Sequence, residues 1–205
     1  MKFSLLAPLA LLASEVDARF KFMMCPNNVD YMKLDQDKWE GNWYEIQRDM
    51  MFPMEIGAEC VTQNYKQRAD GNMEFFYRGY YWYYFFQYAG VGGQLQECAN
   101  GSPVTQTCKS TMNLVKSGRQ GNWKLLSTDY DNYAIMYSCS NQMSNIMHAE
   151  YFTVLGRETT LSPEIMEKVR KIVKDAVPDY DMSDANMVTT VQGDSCKYDL
   201  NEFDA

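Results

Sequence analysis

Between Trp43 and Leu155 the chain breaks into eight short runs of strand-forming residues, at 43–49, 58–67, 73–86, 92–98, 106–115, 123–128, 133–139 and 148–155. Most are separated by turn chemistry: Ala69-Asp70-Gly71-Asn72, Ala99-Asn100-Gly101-Ser102-Pro103, Gly118-Arg119-Gln120-Gly121-Asn122 and Asp129-Tyr130-Asp131-Asn132. Gly, Asn, Asp and Pro in such clusters supply the backbone angles a reversal needs. Successive strands joined by short turns point to an all-β architecture, an eight-stranded antiparallel up-and-down barrel.

One helix is expected after the barrel, at about 163–177. Ser162 is a suitable N-cap, Pro163 fits the first helical position, and Glu164 suits the positive end of the dipole. Ile165, Val169, Ile172, Val173 and Ala176 recur at helical spacing, and Pro178 ends the segment. That stripe is expected to pack on the outside of the barrel. A short helical turn is expected within 31–39, and the tail from Val188 to Cys196 should run back along the wall. No internal repeat or linker divides the chain, so residues 19–205 are read as one domain, with the barrel at about 41–156.

Residues 1–18 read as a secretory signal peptide: Lys2, an apolar run from Phe3 to Ala13, and Val16-Asp17-Ala18 at the cleavage position. No later run approaches about 18 apolar residues. The net charge is −8, from 27 acidic and 19 basic residues, which disfavours nucleic acid and anionic lipid surfaces as partners. Six cysteines (Cys25, Cys60, Cys98, Cys108, Cys139 and Cys196) in a chain with a leader suggest three disulfides, whose pairing the sequence alone leaves open. None forms a Cys-x-x-Cys pair and the only histidine is His148, so neither zinc nor another cofactor is expected.

Three separated stretches narrow the reading: Gly41-Asn42-Trp43-Tyr44-Glu45, Thr128-Asp129-Tyr130 and Leu155-Gly156-Arg157. In order and spacing they resemble the signature regions of the lipocalins, secreted eight-stranded barrels that carry small apolar molecules. The resemblance implies that Trp43 lies across the closed end, with Arg157 stacked over it and Gly41 admitting the chain to the first strand. Further stretches, Cys25-Pro26-Asn27, Cys60-Val61-Thr62-Gln63-Asn64-Tyr65, Asp131-Asn132-Tyr133-Ala134 and Tyr137-Ser138-Cys139, resemble the apolipoprotein D-like members. Carried across, the disulfides of that group become Cys25–Cys139 and Cys60–Cys196. Cys98 and Cys108 depart from the pattern, as a staple across a hairpin loop or as two free thiols. Asn100-Gly101-Ser102 in the same loop is an N-glycosylation sequon, followed by Pro103.

The resemblance also sets the strand phase, with Tyr65 and Trp123 inward. Stepping by two places Val61, Gln63, Phe75, Tyr77, Gly79, Tyr81, Tyr83, Leu125, Ser127, Tyr151, Thr153 and Leu155 inside as well. Of these, Tyr65, Phe75, Tyr77, Tyr81, Tyr83, Trp123, Leu125, Thr153 and Leu155 are the candidate ligand-binding residues. The third run is aromatic on both faces, so Phe76, Tyr80, Trp82 and Tyr84 form either an outer patch covered by neighbouring segments or a surface for self-association or membrane contact. The stretch 49–57, with three methionines, corresponds to the long loop over the mouth in this family.

No nucleophile with an activating base is recognisable, and the cysteines look consumed by disulfides, so no enzyme activity is expected. A haem-binding role would need His148 to point inward. The expected function is extracellular binding and transport of a small hydrophobic ligand (sterol, fatty acid, retinoid or pigment class). The alternative is a structural or interaction protein that uses the outer aromatic face.

Overall fold

The computed structural model describes residues 20–50, 55–71, 73–82, 87–95 and 123–198. Its strands are β1 (Phe20–Phe22), β2 (Gly41–Asp49), β3 (Ala58–Gln67), β4 (Met73–Tyr81), β5 (Gln87–Leu95), β6 (Trp123–Thr128), β7 (Tyr133–Gln142), β8 (Met147–Gly156) and β9 (Met187–Thr189), with helices α1 (Gln36–Trp39) and α2 (Pro163–Ala176). All pairings among the strands are antiparallel, in the order β5-β4-β3-β2-β8-β7-β6, while β1 pairs with β8 and β9 with β2. This is the antiparallel order expected of the up-and-down barrel, with one C-terminal helix outside. The strand expected at 106–115 lies outside the described residues.

The third run is shorter than its composition implies. β4 stops at Tyr81, and β5 begins at Gln87 and pairs back along it, Tyr81 opposite Gln87 and Met73 opposite Leu95. An unbroken aromatic run therefore conceals a reversal, because no Gly, Pro or Asn marks it. The fourth strand, expected at 92–98, begins earlier, and the Gly-rich stretch 90–93 lies in the middle of β5. There Phe76 lies against Gly90 and leaves no room for a Cβ at that position.

Strand parity divides the protein into an interior and an outer layer. On β8, Leu155 joins Trp43, Tyr65, Met73, Leu125 and Ala134 inside, while Phe152 and Val154 face outward. The outward set packs with Tyr133, Ile135 and Tyr137 of β7 and with Val169 and Val173 of α2, both fully buried. Ile165, Met166, Ile172 and Ala176 complete the contact from the helix side. Ser162 Oγ accepts from Ile165 N (3.3 Å), and the helix ends at Ala176, two residues before Pro178. Burying two valines and flanking aliphatics contributes several kcal/mol, at about 25 cal/mol per Å² of apolar area.

The segment after α2 is built into the wall. β2 pairs with β3 only from Gly41 to Tyr44; beyond that, β9 takes the adjoining edge, Gln47 opposite Thr189 and Asp49 opposite Met187. Thr190 N donates to Ile46 O (3.0 Å), and Cys60 N donates to Val191 O (2.8 Å). Gln192 Nε2 then donates to both Glu45 O (2.9 Å) and Val61 O (2.8 Å), bridging β2 and β3 where they part. A disulfide joins Cys60 to Cys196 across 136 residues, and another joins Cys25 to Cys139 across 114. These are the pairs that the family resemblance implies. Cys98 and Cys108 lie outside the described residues, as does Asn100.

The tail also covers part of the outer face of β4 and β5. Lys197 N donates to Tyr88 Oη (2.8 Å), the Arg78 guanidinium lies 4.3 Å from the Tyr88 ring centre, and Tyr80 packs on Tyr88. Tyr198 meets Tyr44 edge-on. Trp82 is 53% exposed, and Tyr84 lies outside the described residues. No described helix is long and apolar enough to cross a membrane.

Replacing Cys60 and Cys196 together by Ser should lower the unfolding free energy by about 2–5 kcal/mol in denaturant melts. Amide exchange at Thr190 should quicken more than exchange at Phe152, since only the former depends on the tail staying in place.

Candidate functional site

The closed end is organised by one guanidinium. The Arg157 Cζ lies 3.9 Å from the ring centre of Trp43, which is fully buried. Its nitrogens donate to three carbonyls on three segments: Nε to Tyr130 O (2.9 Å), Nη1 to Asn42 O (3.0 Å) and Nη2 to Lys38 O (2.6 Å). Trp43 Nε1 donates to Trp39 O (3.0 Å), and the two indoles pack 4.6 Å apart. Gly41 takes φ +101°, and the position its Cβ would occupy is 3.4 Å from Arg157 Nη1. Gly156 is needed for space: a Cβ there would lie 2.9 Å from Glu158 O and 3.1 Å from Ile46.

The 128–130 motif shapes the turn that offers Tyr130 O. Thr128 Oγ1 donates to Tyr133 O (2.6 Å) and accepts from Tyr130 N (2.9 Å), while Tyr130 itself sits at φ 68°. Asp129 accepts from Asn132 N, Asn132 Nδ2 and Tyr133 N. Partial burial raises the Asp129 carboxyl, but the Asn132 side chain and the backbone N–H groups outweigh it and hold the pKa below the ordinary value.

Above this floor the structure brings together most of the candidate lining residues it describes. Tyr65, Phe75, Leu125 and Leu155 belong to the floor cluster around Trp43, with Met136 partly buried against it. Tyr77 and Tyr81 pack with Ala58 and Val61 nearer the mouth. Thr153 is buried opposite Arg48 on β2. Trp123 is half-buried, opposite Ser138. Tyr65 Oη donates to Gln63 Oε1 (2.6 Å), and Gln63 pairs with Trp43 and Tyr77 on either side. Ser127 is a correction: a bulge at Leu126 moves it opposite Ile135, whose side chain belongs to the outer cluster, and Ser127 Oγ meets Tyr133 Oη (3.1 Å). Tyr83 lies outside the described residues.

A buried ionic cluster occupies the same interior, and stepping along the aromatic strands does not find it. Glu45 pairs with Leu155, and a bulge at Ile46 turns Arg48, rather than Gln47, to the inside opposite Thr153. Glu45, Arg48 and Glu55 are 0%, 2% and 4% exposed. Arg48 Nη1 donates to Glu45 Oε1 (2.8 Å) and to Thr190 Oγ1 (2.9 Å), and Nη2 donates to Ala58 O (3.0 Å). Thr190 Oγ1 donates to Glu45 Oε1 (2.6 Å). Glu55, from the β2–β3 connection at the mouth, lies 3.8 Å from Arg48 Nε. Among the described residues Glu45 Oε2, Glu55 Oε2 and Tyr77 Oη make no hydrogen bond of ordinary geometry. Burial pushes the Glu55 carboxyl well above the usual carboxylate range, and the neighbouring Glu45 pushes the same way, against weaker opposition from Arg48 and Tyr77. Burial, then Glu55 and Glu45, likewise push the Tyr77 hydroxyl far up, so it stays neutral. For Arg48, burial lowers the pKa, but Glu45 and Glu55 more than reverse this. The signal for Glu45 was present in the sequence, two residues from Trp43; the bulge that turns Arg48 inward has no marker there.

His148 sits on the opposite face. Its Nδ1 is 2.8 Å from Met23 O, and its neighbour Glu150 binds Lys21 (2.5 Å) and accepts from Tyr137 Oη (2.9 Å) on the outer wall. His148 and Glu150 lie near Cys139, but that sulfur is held in the disulfide to Cys25.

Residues 40–194 match the Lipocalin / cytosolic fatty-acid binding protein family. The chain is a lipocalin. It is 29% identical over 174 residues to apolipoprotein D of Cavia porcellus, covering 84% of this chain and 87% of that protein. The Lazarillo protein of Schistocerca americana is 25% identical, over 83% of this chain and 77% of its own. Among solved structures, lobster apocrustacyanin A1 aligns with a TM-score of 0.65 at 22% identity, over 87% of this chain and 98% of that one. Insecticyanin from the tobacco hornworm Manduca sexta aligns with a TM-score of 0.69 at 18% identity, over 88% and 93%. Lipocalins are known for binding small hydrophobic molecules.

Arg157→Lys should destabilise the lipocalin by about 2 kcal/mol, because an ammonium cannot serve three diverging carbonyls and cover the indole at once. Denaturant melts and the fluorescence maximum of Trp43 would register it. A second expectation concerns pH. Glu55 faces Glu45 and Arg48 from β2 and Tyr77 from β4, with Tyr81 beside Tyr77. Its carboxyl is raised from 4.5 on folding, so its contribution is fully present below that value and is lost as pH rises through the folded value. Wild type should therefore lose up to about 1.4 kcal/mol per pH unit between 4.5 and the folded value, with no further loss from this group above it, and Glu55→Gln should flatten the slope. Melts from pH 5 to 9 on both proteins would check it.

Proposed function

We propose that this lipocalin binds and transports a small hydrophobic ligand outside the cell, of the sterol, fatty acid, retinoid or pigment class, and catalyses no reaction on it. The observation that carries the reading is a floor sealed by Trp43 and Arg157 beneath walls formed by Tyr65, Phe75, Tyr77 and Tyr81. Such a surface accepts an apolar body through dispersion and desolvation, and orients it by a few polar groups. An extracellular setting is supported by the Cys25–Cys139 and Cys60–Cys196 disulfides, which persist where the medium is oxidising. His148 faces the outer wall and is held against Met23 O, which argues against both a haem ligand and a general base at the interior. The alternative, an interaction protein working through the outer aromatic face, draws less support because the tail reaches Tyr88, whose ring Arg78 already covers.

Titration with sterols, fatty acids, retinoids and carotenoids, followed by tryptophan quenching, tests the carrier. Saturable binding on the order of micromolar is expected for at least one class, with Tyr81→Arg abolishing it by placing a guanidinium among the lining rings. Silence from every class, together with no retained small molecule in native mass spectra of protein from its source, would overturn the reading.

A further inference from the structure

The interior holds one guanidinium against two carboxyls, all three nine-tenths or more buried. The guanidinium is fully engaged at both terminal nitrogens, by Glu45, Thr190 and Ala58 O, and its Nε faces Glu55. An incoming carboxylate or phosphate would find the Tyr77 hydroxyl as a donor but would meet two acids beside it. Acceptors outnumber donors: among the described residues Glu45 Oε2 and Glu55 Oε2 are buried without a hydrogen bond of ordinary geometry, near each other and the Tyr77 hydroxyl. An unpartnered buried carboxylate oxygen forfeits solvation that a donor would restore. Tyr77 lies beside these carboxyls and Tyr81 beside Tyr77, and an aromatic face favours a cation over a neutral group.

We infer that this cluster is a head-group site for an amine, with a protonated ammonium held between Glu45 and Glu55 and its apolar body lying along Tyr77 and Tyr81. The inference rests on the carrier reading and narrows its ligand class. The second carboxyl of the pair is satisfied by a proton in the free protein. On binding, the ammonium takes that proton's place: R–NH3+ enters, the Glu55 carboxyl becomes carboxylate, and one proton leaves to solvent. Charge in the cluster is then balanced two against two. Glu55 comes from the connection at the mouth while Glu45 and Arg48 belong to the wall, so the amine also ties one to the other.

Three probes with the same twelve-carbon body separate the possibilities: dodecylamine, 1-dodecanol and dodecanoate, each below its aggregation threshold at pH 7.5. Dodecylamine should bind at least about tenfold tighter than either of the others, the gain of one charge-assisted contact in a dry site. Calorimetry in two buffers of different ionisation enthalpy should show about one proton released, with affinity weakening as pH falls and protons compete. In Glu45→Gln/Glu55→Gln the amine preference should vanish while 1-dodecanol still binds. If that double variant fails to fold, Glu55→Gln alone should lose the proton release and most of the preference. Equal affinity for the three probes, tighter binding of dodecanoate, or a preference that survives the substitutions would overturn the amine site and leave the carrier standing. Failure of all three probes to bind would overturn the amine site, and the carrier is then decided separately by the sterol, fatty acid, retinoid and carotenoid titrations.

Discussion

Arg157 over Trp43 is the contact on which the interior depends. A barrel end can be shut by packing large side chains into it, but here one planar cation does so while fixing three backbone segments to each other. Guanidinium geometry explains why the contact demands residues so far apart in the chain. Lys38 O and Asn42 O come from either side of the entry to β2, and Tyr130 O is presented by a left-handed turn that Thr128 and Asp129 hold in shape. Each motif supplies a part that is useless without the others. Gly41 and Gly156 then follow as steric consequences, one of a positive φ and one of the approach of Ile46 and Glu158.

What faces inward above the floor is decided by bulges as much as by alternation. Period-two stepping is faithful over an unbroken ladder, so Tyr65, Phe75, Tyr77, Tyr81, Leu125, Thr153 and Leu155 could be read from two anchor residues. It fails where an extra residue enters. Leu126 sends Ser127 outward, and Ile46 sends Arg48 inward. Neither position carries a glycine or any other local mark. The reversal after Tyr81 was hidden for a related reason, since aromatic residues favour strands and give no sign of where one ends. By contrast α2 was legible almost to the residue, because its cap, its apolar stripe and Pro178 all point to the same boundaries.

The ionic cluster has a structural task that any ligand must share. Past Tyr44, β2 and β3 separate, and an open seam would leave backbone donors and acceptors of both strands unsatisfied. The tail fills the seam through β9, Thr190 and Gln192, and the Cys60–Cys196 bond keeps it there. Arg48 and Glu45 reach Thr190 from the inside, so the same charges that line the interior also hold the inserted strand.

This double duty bears on why buried charge is tolerated at all. Taking two carboxyls and a guanidinium out of water costs several kcal/mol per ion, and apolar replacements of equal volume often fold as well or better. Had docking of the tail been the sole requirement, Glu45 and Arg48 would suffice: they satisfy each other and Thr190 with good geometry. Glu55 adds nothing to that seam. It brings a second acid beside the first, is kept protonated by its surroundings, and has one oxygen without a partner. Its burial therefore calls for a reason other than the fold, and that reason is to be sought beside Tyr77.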